Sequence, residues 1–287
     1  MSPAPVAAAV GTGIVAPLSR VPKGRIVAGG ARILKRGNLS GWLFVVLVAG
    51  LAEVIVRAGN LEDSVAAPSA AVRALASELW AGRLSQAIVT TLHVYAEGLA
   101  VAIAIGVVAG IAIGSSRTLL AASSVVLEFL RAVPAVALIP LAILWFGLGV
   151  PMHRFVIAYA ATWPILIATL YGVRGTDRLL HDVARTAGAT RVGTAVRVTA
   201  PAALPGIAAG IRLSAVIALN VAVTVEFING GGGIGAYMQR QQNAYNLPEL
   251  YGAIVLTALL GYAIHLTLRA AEQRALFWVG EHRLDAR

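Results

Sequence analysis

Cysteine is absent from the 287 residues. That excludes disulfides, thiolate nucleophiles and cysteine-ligated zinc or iron–sulfur centres. Lysine is nearly absent: Lys23 and Lys35 are the only two, and neither follows a glycine. The chain therefore lacks a GxxxxGK[ST] phosphate loop, and any ATP-driven work must use an ATPase on another polypeptide. Charge is scarce, at 13% of residues against about 25% in ordinary globular proteins. So few charges cannot solvate the surface of a soluble domain this large. Disorder is excluded for most of the length, because disordered chains are poor in apolar residues and this one is 58% apolar. Mean hydropathy is +0.80. The class is an integral membrane protein, all-α and polytopic.

The charge that is present is basic, with 23 Lys and Arg against 13 Asp and Glu. Nucleic acid is not the expected partner, because the charges sort by topology instead. Six spans are predicted at Leu39–Val56, Thr90–Gly114, Leu119–Gly147, Phe155–Val173, Pro205–Ile228 and Leu250–Leu268, each near the length that crosses a bilayer. With the N-terminus in the cytoplasm, 18 of the basic residues fall on the cytoplasmic side and five outside. Both termini are then cytoplasmic in a multi-pass inner-membrane protein, in contact with lipid. The organisation expected is a disordered basic tail over 1–37, a first span and outer amphipathic segment over 38–84, and a transmembrane core over 85–280. In the outer segment Ala71, Leu75 and Leu79 share one helical face, as in an interfacial helix.

The core holds one long cytoplasmic loop, 174–204. Its signals predict two short helices. Thr176 can cap the first, with Asp177 in its first turn. Gly188 suits the left-handed position that ends it. Thr190 can cap a second helix running through Val198, Pro201 ends that run, and Pro205 fits the first turn of the next span.

This loop resembles a known family. Asp182-Val-Ala184, three residues, Gly188, nine residues, then Val198-Thr-Ala-Pro201 follows the EAA loop of ABC-transporter permeases, with Asp182, Val183 and Ala200 as departures from the Glu, first Ala and Leu of the pattern. Leu130-Arg-Ala-Val-Pro134, Ala137 through Gly147, Val225-Glu-Phe-Ile and Gly233-Ile-Gly235 resemble the sulfonate, nitrate and taurine branch of that family. The resemblance covers about residues 80–280. It implies a type I ABC importer permease architecture and a homodimer with the pathway on its axis. It also implies separate ATPase subunits carrying Mg-ATP, an extracytoplasmic substrate-binding protein, and a small anion as cargo. It makes the loop the coupling helix, with Asp182, Ala184, Arg185, Gly188, Ala189, Arg191 and Pro201 as the ATPase-facing residues. No cofactor is expected on this chain, and it is not expected to be an enzyme.

Ionisable and polar residues inside spans are the candidates for the pathway. Glu97 sits deep and needs a cavity or a partner. Asn220 and Thr224 are one turn apart in mid-span. Glu226 and Glu53 lie near outer span ends, within reach of the interface by snorkelling. Glu128 and Arg131 are spaced to pair with each other. The five histidines are scattered, so no metal site is expected. Gly230–Gly233 reads as a flexible outer loop near the binding protein. The competing class is an ion-gradient secondary transporter. Such proteins often carry internal repeats with paired broken helices, and none is evident here. A membrane-embedded enzyme is disfavoured by the lack of a nucleophile elbow or metal cluster.

Overall fold

The computed structural model describes residues 27–59 and 64–276. Residues 1–26 of the tail expected over 1–37, with Arg20, Lys23 and Arg25, and the C-terminal Arg283 and Arg287 lie outside the described residues. The chain divides after Leu51 into two units, Met1–Leu51 and Ala52–Arg287. In the first, helix α1 (Val27–Ala58) begins inside the segment expected to be tail. The run Ala31-Arg-Ile-Leu-Lys-Arg36 is made of helix formers, which extends the helix backwards.

The second unit continues with α2 (Pro68–Trp80), α3 (Arg83–Ser115), α4 (Arg117–Ala132), a 3₁₀ turn and α5 (Ile139–Phe146), and α6 (Val150–Arg174). Then come α7 (Arg178–Thr186), α8 (Arg191–Thr194), a π-turn (Ala195–Thr199), α9 (Ala200–Asn229), α10 (Ile234–Asn243) and α11 (Leu247–Ala275). Among the described residues every regular element is helical. Four helical stretches there are long and apolar enough to cross a membrane: α3, α6, Val192–Asn229 and α11. They cover four of the six expected spans. The expected span Leu39–Val56 falls within α1.

The expected third span is not one straight helix. α4 and the α5 segment are bent by 86° at Val133–Pro134. Val133 is extended, as a residue before proline prefers, and Pro134 brings no N–H to continue α4. No residue of α4 is buried, and Glu128 and Arg131 pair at 3.3 Å on its exposed side.

α3 and α6 are packed most closely. Gly98, Gly106, Gly110 and Gly114 of α3 face Ile157, Ile165, Thr169 and Val173 of α6 at one constant offset, so the two helices run parallel in register. A Cβ on Gly110 would lie 2.6 Å from the Thr169 Cβ and 2.8 Å from the Leu166 carbonyl oxygen. Small residues four apart allow this approach, and lipid supplies no hydrophobic force that could replace it. α9 runs antiparallel to α6, with Gly210 against Pro164 and Gly206 against Ala168. Pro164 lacks the N–H that α6 needs at that turn. One turn away the Ser214 hydroxyl of α9 donates to the Ala161 carbonyl at 2.7 Å, a buried hydrogen bond between the two helices. Val94, Leu99, Ile157, Ile165, Ala215 and Leu219 form the core between the three helices.

α2 is docked on α11: Gly252 of α11 lies against the Ala71 carbonyl and Leu75, two residues of the expected apolar face. At the start of α2, Glu53 accepts the Ser69 N–H at 2.9 Å and the Ser69 hydroxyl at 2.7 Å, while Arg57 bonds the same carboxylate. Its role is a helix cap in place of a free snorkelling acid.

Candidate functional site

The loop between α6 and α9 projects from one end of the bundle. Asp177, rather than Thr176, caps α7: its carboxylate accepts the Leu179 N–H at 2.9 Å. Thr176 instead reaches back to the Gly172 carbonyl at the end of α6, where its hydroxyl closes the previous helix. Nine residues on, α7 ends in a Schellman motif. The Ala189 N–H donates to the Ala184 carbonyl at 2.9 Å and the Gly188 N–H to the Arg185 carbonyl at 3.0 Å. Gly188 has the left-handed φ of +79° that this closure requires. Thr190 then caps α8, accepting the Gly193 N–H at 3.1 Å.

Beyond α8 the chain departs from expectation. Pro201 does not end a helix; the helical path runs on from α8 through the π-turn into α9, with Pro201 in the first turn of α9 and Pro205 inside it. A proline tolerates a first turn, where its missing donor has no partner to lose. The over-wide π-turn precedes it, and such turns recur at functional sites. Arg191 opens α8.

α7 is short and largely uncovered. Leu179, Leu180 and Val183 are exposed on it, as are Val192 and Val196 beyond. The exposed Asp182 and Arg185 carry charge beside them, at 4.0 Å from each other. Apolar side chains rimmed by charge at the tip of a projecting loop mark a surface made for another protein.

The opposite end is built differently. Glu226, near the end of α9, is 1% exposed. It does not snorkel. Its carboxylate accepts the Thr91 hydroxyl of α3 at 2.8 Å and the Gly235 N–H of α10 at 3.1 Å, and the Thr91 oxygen accepts the Ile234 N–H at 2.8 Å. The acid thus sits on the N-terminal donors of α10, where the helix dipole favours an anion. Gly233 leaves room for that carboxylate, and Gly235 for the α9 backbone at Val223. The glycine run is thus a fitted turn, with Gly230, Gly231 and Gly233 at positive φ and Arg240 held to the Gly231 carbonyl at 3.1 Å. Beside it Glu78 of α2 is paired with Arg83, Nε to carboxylate at 2.7 Å, and this bond holds the Glu78 carboxyl below its ordinary range. Burial and the nearby Glu78 push the Tyr237 phenol up.

The remaining sequence candidates separate into two places. Glu97 has found a partner: Arg154 of α6 donates to it through Nη2 at 2.7 Å and Nε at 3.0 Å. Arg154, expected in a connection, is one turn inside α6, and it lines an apolar cleft of about 510 Å³ between α3, α5 and α6. Asn220 and Thr224 lie elsewhere. They are exposed on α9 together with Leu213 and Val216, at helical spacing, on a face that no described part of the chain covers. Glu97 and Glu226 do not share that face. Arg154, Thr91, Ser214 and His181 were not singled out as site residues from sequence; for the first three the signal was an ionisable or hydroxyl residue inside or beside an apolar run, and His181 stands in a charged loop that carries no such signal.

The class the fold defines is a helical bundle with four helices long and apolar enough to cross a membrane and one projecting, capped loop. Residues 102–275 match the family model described as binding-protein-dependent transport system inner membrane component, and the chain belongs to that family. It is a permease component of a binding-protein-dependent ABC importer. A probable ABC transporter permease of Brucella melitensis is 32% identical over 197 residues, covering 69% of this chain and 80% of that protein. The putative aliphatic sulfonates transport permease protein SsuC of Escherichia coli is 34% identical over 152 residues, 53% of this chain and 58% of that protein. The inward-facing MetNI methionine ABC transporter shares the fold at 19% identity, with a TM-score of 0.62 over 69% of this chain and 98% of that chain.

Proposed function

We propose that two copies of this chain form the pathway of an importer for a small organic anion of the aliphatic sulfonate type. Each copy takes an ATPase subunit on α7 and receives cargo from a substrate-binding protein at the Glu226 end. Both termini and the 174–204 loop are cytoplasmic, consistent with the distribution of Arg residues between the two ends. The observation that carries this reading is α7 itself. It is a nine-residue helix with its own caps at both ends and apolar side chains turned outward, beyond the spans. A helix this short is marginal without partners, so its full capping fits a docking element. Asp182, Ala184, Arg185, Gly188 and Ala189 lie in it or at its end, Arg191 follows in α8, and Pro201 stands at the base of α9.

The pathway is assigned to the uncovered face of α9, with Asn220 and Thr224 as its polar residues. The Thr224 hydroxyl donates to the Asn220 backbone carbonyl at 2.7 Å, and the Asn220 side chain is exposed on the same face. Glu97 and Glu226 are given holding roles, at Arg154 and at α10. ATP and magnesium stay on the partner subunits, and the chain itself does no covalent chemistry.

Uptake of radiolabelled ethanesulfonate by cells with and without the gene tests this. Uptake should depend on the chain and on ATP, and should survive collapse of the proton gradient. Chain-dependent uptake that survives ATP depletion and fails with the proton gradient would make it a secondary transporter.

A further inference from the structure

We infer that His181 is the positioning residue that carries movement of α7 into the pathway helix α9, through a single side-chain hydrogen bond to Thr199. This rests on the permease reading above.

α7 is poorly connected to the rest of the chain. A cavity of about 900 Å³ lies under it, lined by Gly114 and Ser115 at the end of α3, Val173 at the end of α6, and His181, Arg185, Thr194 and Thr199. Close packing transmits displacement, and a hollow does not. Across this hollow, His181 Nε2 lies 3.1 Å from the Thr199 hydroxyl. Among the described residues this is the only side-chain hydrogen bond from α7 to another helix. α7 also contacts α8 and the π-turn along the chain.

The ring is held in a defined orientation. His181 Nδ1 lies 3.1 Å from the Asp177 carbonyl oxygen. A carbonyl only accepts, so Nδ1 carries the proton, and in the neutral ring Nε2 accepts from the Thr199 hydroxyl. Asp177 also caps α7 through its side chain. One residue thus fixes both the start of the helix and the direction of the imidazole.

The far end of the bond is equally placed. Thr199 is the last residue of the π-turn, directly before α9. A π-turn is a rare, over-wide turn that appears mostly as a single inserted step. Such turns recur at functional sites. Asn220 and Thr224 are on the helix that this turn opens. Force on α7 therefore enters the pathway helix at its first turn.

The absence of cysteine permits a direct test. Thr224→Cys places a single thiol on the uncovered face of α9. The permease is purified with the ATPase subunit that co-purifies with it and reconstituted in vesicles. Its rate of reaction with a membrane-impermeant maleimide is compared with and without ATP and vanadate. In the His181 background the rate should change severalfold on trapping. With His181→Ala or Thr199→Val the ATPase should still bind and hydrolyse ATP within about twofold, while the change at position 224 is lost by roughly tenfold. The double variant should be no worse than either single one, and His181→Gln, which retains a polar group at the same reach, should restore part of the change. A wild-type response in His181→Ala would overturn the proposal. So would loss of ATPase binding in proportion to loss of the response, because His181 would then be a docking residue. No ATP-dependent change in the His181 background would strike down the pathway assignment itself, and this inference with it.

Discussion

Gly188 offers the sharpest perturbation, because its cost can be isolated. A Cβ built at position 188 meets nothing within 4 Å. Substitution therefore adds no clash, and its whole effect comes from φ = +79°. An L-residue with a Cβ pays about 1–2 kcal/mol for left-handed backbone, β-branched residues pay more, and asparagine pays less than alanine. The Schellman bonds at Ala184 and Arg185 require that conformation. α7 is nine residues long and uncovered, so it has little else to hold its last turn. If the ATPase docks on the formed helix, that cost appears in the affinity. At about 1.4 kcal/mol per factor of ten, Gly188→Ala should weaken ATPase binding by roughly fivefold to thirtyfold. Gly188→Val should weaken it more and Gly188→Asn less. The assay is titration of the labelled ATPase onto detergent-solubilised permease, beside a thermal unfolding scan that should stay unchanged. Equal affinities for glycine, asparagine and valine would refute the reasoning, since they would mean that the α7 terminus is not used in docking.

Other parts of the molecule make separate predictions. Gly110→Val forces a side chain into the Thr169 side chain and the Leu166 carbonyl of α6 and should destabilise the bundle by about 1–3 kcal/mol or more, read as a lower melting temperature in detergent. Ser214→Ala removes the buried hydrogen bond from α9 to the Ala161 carbonyl of α6 and should cost about 0.5–1.5 kcal/mol in the same scan. Glu226→Ala removes the acid that holds the first donors of α10, and should raise hydrogen exchange at Ile234 and Gly235 while that of α7 stays constant. The Glu78 carboxyl is held below its ordinary 4.5 by Arg83, so its contribution to stability is full above that value. It is lost as pH falls through the lower, folded value. Thermal stability of the wild type should therefore drop on acidification below about pH 4.5 more than that of Glu78→Gln, and an identical pH profile would remove the pair from the stability of that end.

The spans that were legible in the sequence are the ones with long uninterrupted apolar runs, such as α3 and α6. The caps at Gly188 and Thr190 were legible because a left-handed glycine and a capping hydroxyl are local signals. What depended on partners distant in sequence was not legible. Glu226 and Thr91 are 135 positions apart, so nothing near Glu226 announced that it would be buried on α10. Arg154 was placed in a connection because a charge normally ends a span, and only Glu97, 57 positions away, lets it stand inside α6. Pro134 itself marks the bend in the sequence, but its size, 86°, was not legible, because the apolar run continues through it and spans tolerate proline. The passage through Pro201 was hidden by the π-turn, which leaves no mark in the pattern of apolar residues. Asp177 took the cap expected of Thr176, because two adjacent residues of capping type leave the start of a helix uncertain by one position.

The central claim, that this chain couples a separate ATPase through α7, is tested most directly by purification in mild detergent with the cell's ATPase subunits. The account predicts a stable complex whose ATP hydrolysis rises when a sulfonate-loaded binding protein is added. It also predicts that the complex is lost in a variant with Leu179, Leu180 and Val183 changed to serine. A chain that purifies alone, or a complex that the triple variant leaves intact, would contradict it.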